Sequence, residues 1–84
     1  MIVTTEMTDL FSGEANYAWL RRESVALRDD ASDLAIVRAA KASVGLSGCR
    51  GRMVSYGDSW EFRPYGMLVI AFISITNNTD TSMI

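Results

Sequence analysis

The segment NYAWLRRESVAL, Asn16 to Leu27, decides the fold, because it fits two different periodicities. As a strand it places Tyr17, Trp19, Arg21, Glu23, Val25 and Leu27 on one face and Ala18, Leu20, Arg22, Ser24 and Ala26 on the other, since successive side chains alternate. As a helix it aligns Tyr17, Leu20, Ser24 and Leu27, and its alanine, leucine, arginine and glutamate content favours that state locally. The next six residues favour the strand. Arg28-Asp29-Asp30-Ala31-Ser32-Asp33 is a helix-start signal, and a long helix ending so close to another needs a very abrupt corner. The strand reading gives two strands, one helix and three strands; the helical alternative gives a helical pair on a three-stranded sheet.

The helix itself is predicted over Asp33 to Val44. Ile36, Val37, Ala39, Ala40, Val44 and Leu46 fall on one broad apolar arc, with Arg38 and Lys41 opposite, beside Leu34. Asp29, Asp30 and Asp33 lie at the N-terminal end, where the helix dipole favours negative charge. Gly45 followed by Leu46 is the pattern of a left-handed glycine that ends a helix and folds an apolar residue back onto its last turn.

From Cys49 onward the pattern is a three-stranded meander: Cys49 to Tyr56, Ser59 to Arg63, and Met67 to Ile75. Gly57-Asp58 supplies the first turn and Pro64-Tyr65-Gly66 the second. Alternation puts Met53, Trp60 and Phe62 on an inner face and Arg50, Arg52, Glu61 and Arg63 on an outer one. The last strand, MLVIAFISI, does not alternate: nine residues contain a single polar one, so the whole run is expected to be buried. IVTTEMT, residues 2 to 8, reads as a first strand, with a turn at Phe11-Ser12-Gly13-Glu14. The expected fold is α+β: an antiparallel sheet of about five strands with a C-terminal three-stranded meander and one α-helix packed on one face. Residues 1–75 are expected to form a single domain, and 76–84 a polar, frayed tail.

Composition narrows the function mainly by exclusion. A chain of 84 residues has room for one domain, and at this size only about 60 to 65% of the unfolded surface is buried. There is no histidine, which removes serine and cysteine nucleophile systems in their usual forms and the common zinc sites. Cys49 is the one cysteine, so no internal disulfide forms; it reads as a small hydrophobe. No phosphate-loop or dinucleotide motif occurs, and Ser47-Gly48-Cys49-Arg50-Gly51-Arg52 precedes a strand where a phosphate loop opens a helix. The N-terminus lacks the pattern of a secretory signal, and the apolar run falls short of the ~20 residues of a membrane helix. The expectation is a cytoplasmic, non-catalytic protein without cofactor or metal.

One charge pattern is not random. No acid lies between Asp33 and Asp58, whereas Arg38, Lys41, Arg50 and Arg52 all do, within a chain of net charge −2. With Arg63 on the neighbouring strand and Tyr56 and Tyr65 nearby, these residues have the arginine and tyrosine composition of a protein-binding hot spot. A solvated polar face is the plain alternative. A second candidate is the acidic corner Glu14, Asp29, Asp30 and Asp33, which would mimic phosphates. Trp19 and Trp60 are more often core than a base-stacking platform in so small a domain.

The helix opened by Asp29-Asp30-Ala31-Ser32-Asp33, the Gly45-Leu46-Ser47-Gly48 exit, and the Gly57-Asp58 and Arg63-Pro64-Tyr65-Gly66 turns give, over about residues 16 to 75, a layout that resembles small phage and prophage proteins of the anti-CRISPR type. The resemblance implies a non-catalytic inhibitor that binds a host defence complex, such as a CRISPR effector, and blocks nucleic-acid or subunit docking. No functional residue carries over from it. The alternative is a small nucleic-acid-binding accessory or regulatory protein using the arginine patch. The unbroken apolarity of Met67 to Ile75 adds a further expectation: one helix covers only one face, so the outer face is covered by the N-terminal segment, by the target or by a second copy, of which a homodimer through that face is preferred.

Overall fold

The computed structural model describes residues 1–11 and 14–76, with side chains for all of these except 11–20. The ambiguous segment is a strand. Among the described residues, five strands and one helix follow in the order β1 (Ile2–Phe11), β2 (Glu14–Ala26), α1 (Asp33–Ser43), β3 (Gly51–Ser55), β4 (Ser59–Pro64) and β5 (Val69–Thr76). The strands form one sheet in the order β2-β1-β5-β4-β3. Every pairing is antiparallel, so the α+β class, the meander and the single helix are all as the sequence predicts. β1 runs further than the seven residues read as its strand, because both its edges are paired, with β2 and with β5. The predicted turn at 12–13, the Trp19 side chain and the tail beyond Thr76 lie outside the described residues.

The helix begins and ends for identifiable reasons. Ser32 is the N-cap, in an extended conformation, and its Oγ accepts a hydrogen bond from the Ala35 N–H at 3.2 Å. That bond satisfies one of the amides left without a partner at a helix start. At the other end the Leu46 N–H donates to the Lys41 carbonyl at 2.7 Å and the Gly45 N–H to the Ala42 carbonyl at 3.2 Å. This is the paired hydrogen-bond pattern of a Schellman motif, and it requires the left-handed φ of +77° that Gly45 supplies. Leu46 is thereby folded into the interior.

α1 covers one face of the sheet over two joined clusters. Val3, Ile36, Ala40, Trp60 and Ile73 pack together, with Val25, Leu27, Val37 and Ile75 at their margin. Val44, Leu46, Phe62 and Ala71 form the second cluster, and Met53 touches both. The helix arc Ile36, Ala40, Val44, Leu46 is buried as its spacing predicts, and so are Trp60 and Phe62. Cys49 is half-buried beside the second cluster, in keeping with a packing role.

The run Met67 to Ile75 is not buried throughout. β5 starts at Val69, and Met67 and Leu68 belong to the preceding turn, 43% and 77% exposed. Gly66, with φ +75°, carries the chain around the corner before the ladder resumes, which leaves these two side chains at its rim. The outer face is covered in part, as its apolarity predicts. Ile70, which alternation assigns to that face, is 1% exposed within a single chain. Burial of Ile70 thus takes no second copy, whereas Leu68, in the same phase, is exposed.

Thr5 is the one buried side chain among those described whose polar atom lacks a hydrogen-bond partner. It sits on the helix-covered face of β1, opposite Ile73. An unsatisfied buried hydroxyl costs about 1–3 kcal/mol, and valine has nearly the same shape and strand preference. Thr5→Val is therefore expected to stabilise the protein by about 1 kcal/mol, raising the thermal midpoint by roughly 4–8 °C. A lower midpoint in thermal denaturation followed by circular dichroism would contradict this.

Candidate partner-binding surface

The seven residues of the predicted basic patch are brought close in the fold but not onto one face. They divide into two groups on either side of the β3 edge. On the helix side, Arg38, Lys41, Ser47, Gly48, Cys49 and Arg50 line an open cleft of about 410 Å³. Across the sheet, Arg52, Val54, Tyr56, Glu61 and Arg63 line a second hollow of about 310 Å³. Arg50 thus departs from the face that alternation gives it: it precedes the first residue of β3 and faces the helix end. Tyr65, in the β4–β5 turn, lines neither hollow and is 71% exposed, while its N–H donates to the Arg50 carbonyl at 2.9 Å.

The helix-side cleft is built by the helix end and the connector after it. Lys41 holds the two together: its Nζ donates to the Cys49 carbonyl at 2.6 Å and lies 4.5 Å from the centre of the Phe62 ring. A cation over an aromatic face in a half-buried setting is worth about 1 kcal/mol. Part of the Lys41 charge is therefore engaged internally, while Arg38 and Arg50 are exposed and form no ion pair among the described residues. The connector makes a tight turn in which the Cys49 N–H donates to the Leu46 carbonyl at 3.0 Å, with Gly48 at φ +79°. Ser47 and Gly48 thus complete the cleft wall.

On the opposite side, the register places Arg52 directly across from Arg63. Like charges facing each other on neighbouring strands destabilise a sheet by up to about 1 kcal/mol. Glu61 offsets this in part, with its Oε2 3.8 Å from Arg63 Nε. Arg52 has no ion pair among the described residues. Local stability alone does not favour this pairing. Tyr56 is 60% exposed at the rim, beside the two-residue turn in which Gly57 takes φ +93°.

In the acidic corner two carboxylates make intramolecular contacts and remain exposed. Asp29 Oδ1 accepts from the Met1 ammonium at 2.6 Å, and Asp30 Oδ1 lies 3.3 Å from Arg28 Nε. Asp33 stands in the first turn of α1, complementing its dipole. The side chain of Glu14 lies outside the described ones. Among the described residues no group of three or more potential ligands is placed to hold a metal ion. Nor is any helix among them long and apolar enough to cross a membrane.

Sequence reasoning missed Val54, the apolar floor of the outer hollow, and the exposed pair Met67 and Leu68. Val54 was legible, since it shares its phase with Arg52 and Tyr56. The position of Arg50 was not, because it depends on where the connector ends and pairing begins. Comparison with protein families, with characterised proteins and with solved structures finds no match to this chain.

Proposed function

We propose that the protein acts by binding, without catalysis, and that its docking surface is the basic region around β3: Arg38, Lys41 and Arg50 on the helix side, and Arg52, Arg63 and Tyr56 on the sheet side, with Tyr65 at the periphery. The observation that carries this reading is the set of cations without carboxylate partners. Arg38, Arg50 and Arg52 are exposed and without ion pairs among the described residues, in a protein whose other exposed arginines, Arg21, Arg22, Arg28 and Arg63, all have an acid within 4.0 Å. Arginine beside tyrosine offers charge, planar hydrogen bonding and aromatic area together, which suits an acidic protein surface. The narrower reading is an inhibitor of the anti-CRISPR type, acting in a bacterial host cell, that blocks nucleic-acid or subunit docking in a defence complex. It draws on the absence of histidine, the small size and the helix-plus-meander layout.

The second reading, nucleic-acid binding, is favoured by one observation, the helix-side cleft with its three cations and no acid in its wall. The two separate cleanly. A panel of purified CRISPR effectors assayed for target cleavage, alongside fluorescence anisotropy with DNA and RNA oligonucleotides, is expected to show loss of cleavage by at least one effector and no oligonucleotide binding at physiological salt. Oligonucleotide binding that weakens steeply as salt rises, with every effector unaffected, would replace the first reading by the second.

A further inference from the structure

We propose that the open edge of β3 is a strand-addition site that takes an acidic, extended segment of a partner protein. The inference rests on the partner-binding reading above and specifies how the partner is held.

β3 ends the sheet order, so one of its two sides carries no neighbouring strand. The phase of the ladder decides which groups that side offers. The Tyr56 N–H donates to the Ser59 carbonyl at 2.8 Å, and the Tyr65 N–H to the Arg50 carbonyl at 2.9 Å. Even-numbered positions of this strand therefore bond to β4, and the N–H and C=O groups of Gly51, Met53 and Ser55 point to the open side. Proteins usually guard such edges with lysine, proline, a bulge or a covering element. The strand GRMVS contains no lysine or proline, and its register from Gly51↔Pro64 to Ser55↔Trp60 is uninterrupted.

The opposite edge is different. The pairing of β2 with β1 is irregular between Met7 and Asp9, and the charges of β2 among the described side chains are already matched: Arg22 Nη2 lies 3.0 Å from Glu6, and Arg21 Nε 3.6 Å from Glu23. At β3 the flanking charges are Arg50 and Arg52, both unmatched among the described residues, with Arg63 one strand further in. Charge complementarity thus selects an acidic occupant. Alternation along an added strand gives it two faces: acids beside Arg52 on the outer face, and small apolar side chains beside Met53 on the other. Main-chain hydrogen bonds then supply affinity and the alternating side chains supply selectivity.

The test uses the full-length protein, isotope-labelled, titrated in NMR with a seven-residue peptide alternating glutamate and valine. Its controls are the same peptide N-methylated at alternate amides, a lysine-for-glutamate version, and a single-stranded oligonucleotide. The acidic peptide is expected to shift the amides of Gly51, Met53 and Ser55 and slow their hydrogen exchange. Binding is expected to be at least tenfold weaker for the N-methylated peptide and absent for the lysine version. Ser55→Pro blocks the edge at an exposed side chain whose N–H does not face β4, so it is expected to abolish peptide binding with the amide spectrum still folded. No peptide binding at millimolar concentration, equal binding of the N-methylated peptide or to Ser55→Pro, or binding of the oligonucleotide alone would overturn the proposal. If Ser55→Pro keeps an inhibitory activity that Arg52→Glu loses, strand addition fails while the basic docking surface stands.

Discussion

Gly51→Ala is expected to detach β3 from the sheet and destabilise the protein by about 3 kcal/mol. A Cβ at this position would lie 2.3 Å from the Arg63 carbonyl oxygen, 2.7 Å from Phe62 Cε1 and 2.7 Å from Pro64 Cα. Two of these three neighbours are backbone, and the third belongs to a ring that is itself buried, so no flexible side chain can swing aside. The strand must separate at its first ladder pair, Gly51↔Pro64. A domain of this size has a total stability of about 4–13 kcal/mol, so the loss is a large fraction of it. Because Met53 joins the two core clusters from this same strand, lifting β3 also disturbs the packing of Trp60 and Phe62. Chemical denaturation followed by tryptophan fluorescence measures the change directly. An unchanged midpoint would mean that β3 does not approach β4 this closely. By contrast, Gly48, Gly57 and Gly66 have open space where a Cβ would project, and their glycine requirement comes from positive φ alone.

Arg52→Glu is expected to have the largest effect on binding with almost none on folding. It replaces a like-charge pair across β3 and β4 with an opposite-charge one, because Arg52 faces Arg63 in the register. Such a change favours the fold by a few tenths of a kcal/mol. Toward an acidic partner it does the reverse, removing an unmatched cation and adding a repulsive carboxylate, at a cost of about 3 kcal/mol, or roughly 100-fold in affinity. Stability and binding therefore move in opposite directions, which separates a docking role from a structural one. Arg28→Glu, at a cation already beside Asp30 and away from the basic surface, is the matched control and is expected to leave partner affinity within twofold.

The fold was largely legible because each boundary carries its own chemistry. Ser32 caps the helix, Gly45 and Leu46 close it, and Gly57 and Gly66 take the positive φ that their hairpins need. Asn16 to Leu27 satisfied helical and strand periods equally well. Its strand state follows from the nine ladder pairs that join β2 to β1, a non-local interaction that no local pattern of the segment contains. The apolar run before Thr76 starts as a strand later than its composition predicts, for a related reason. Met67 and Leu68 are as apolar as the strand residues after them, yet they lie in the turn before β5 begins at Val69 and stay at the rim.

The candidate site was legible in composition and not in geometry. A stretch without acids from 34 to 57 marks Arg38, Lys41, Arg50 and Arg52 from sequence alone. Nothing in that stretch says that Lys41 turns inward to the Cys49 carbonyl and the Phe62 ring, or that Arg50 and Arg52 serve different sides of one edge. The acidic corner looked equally open as a sequence; the Met1 ammonium and Arg28 engage two of its carboxylates once the chain is folded.

The most direct test of the central claim is the dose dependence with which the wild-type protein and Arg52→Glu suppress target cleavage by a purified CRISPR effector that the wild type blocks, with thermal midpoints measured on the same samples. The account predicts that Arg52→Glu needs roughly 100-fold more protein for the same suppression, at a midpoint equal to or above that of the wild type. Equal potency of the two proteins, or a panel of effectors in which the wild type blocks none, would contradict it.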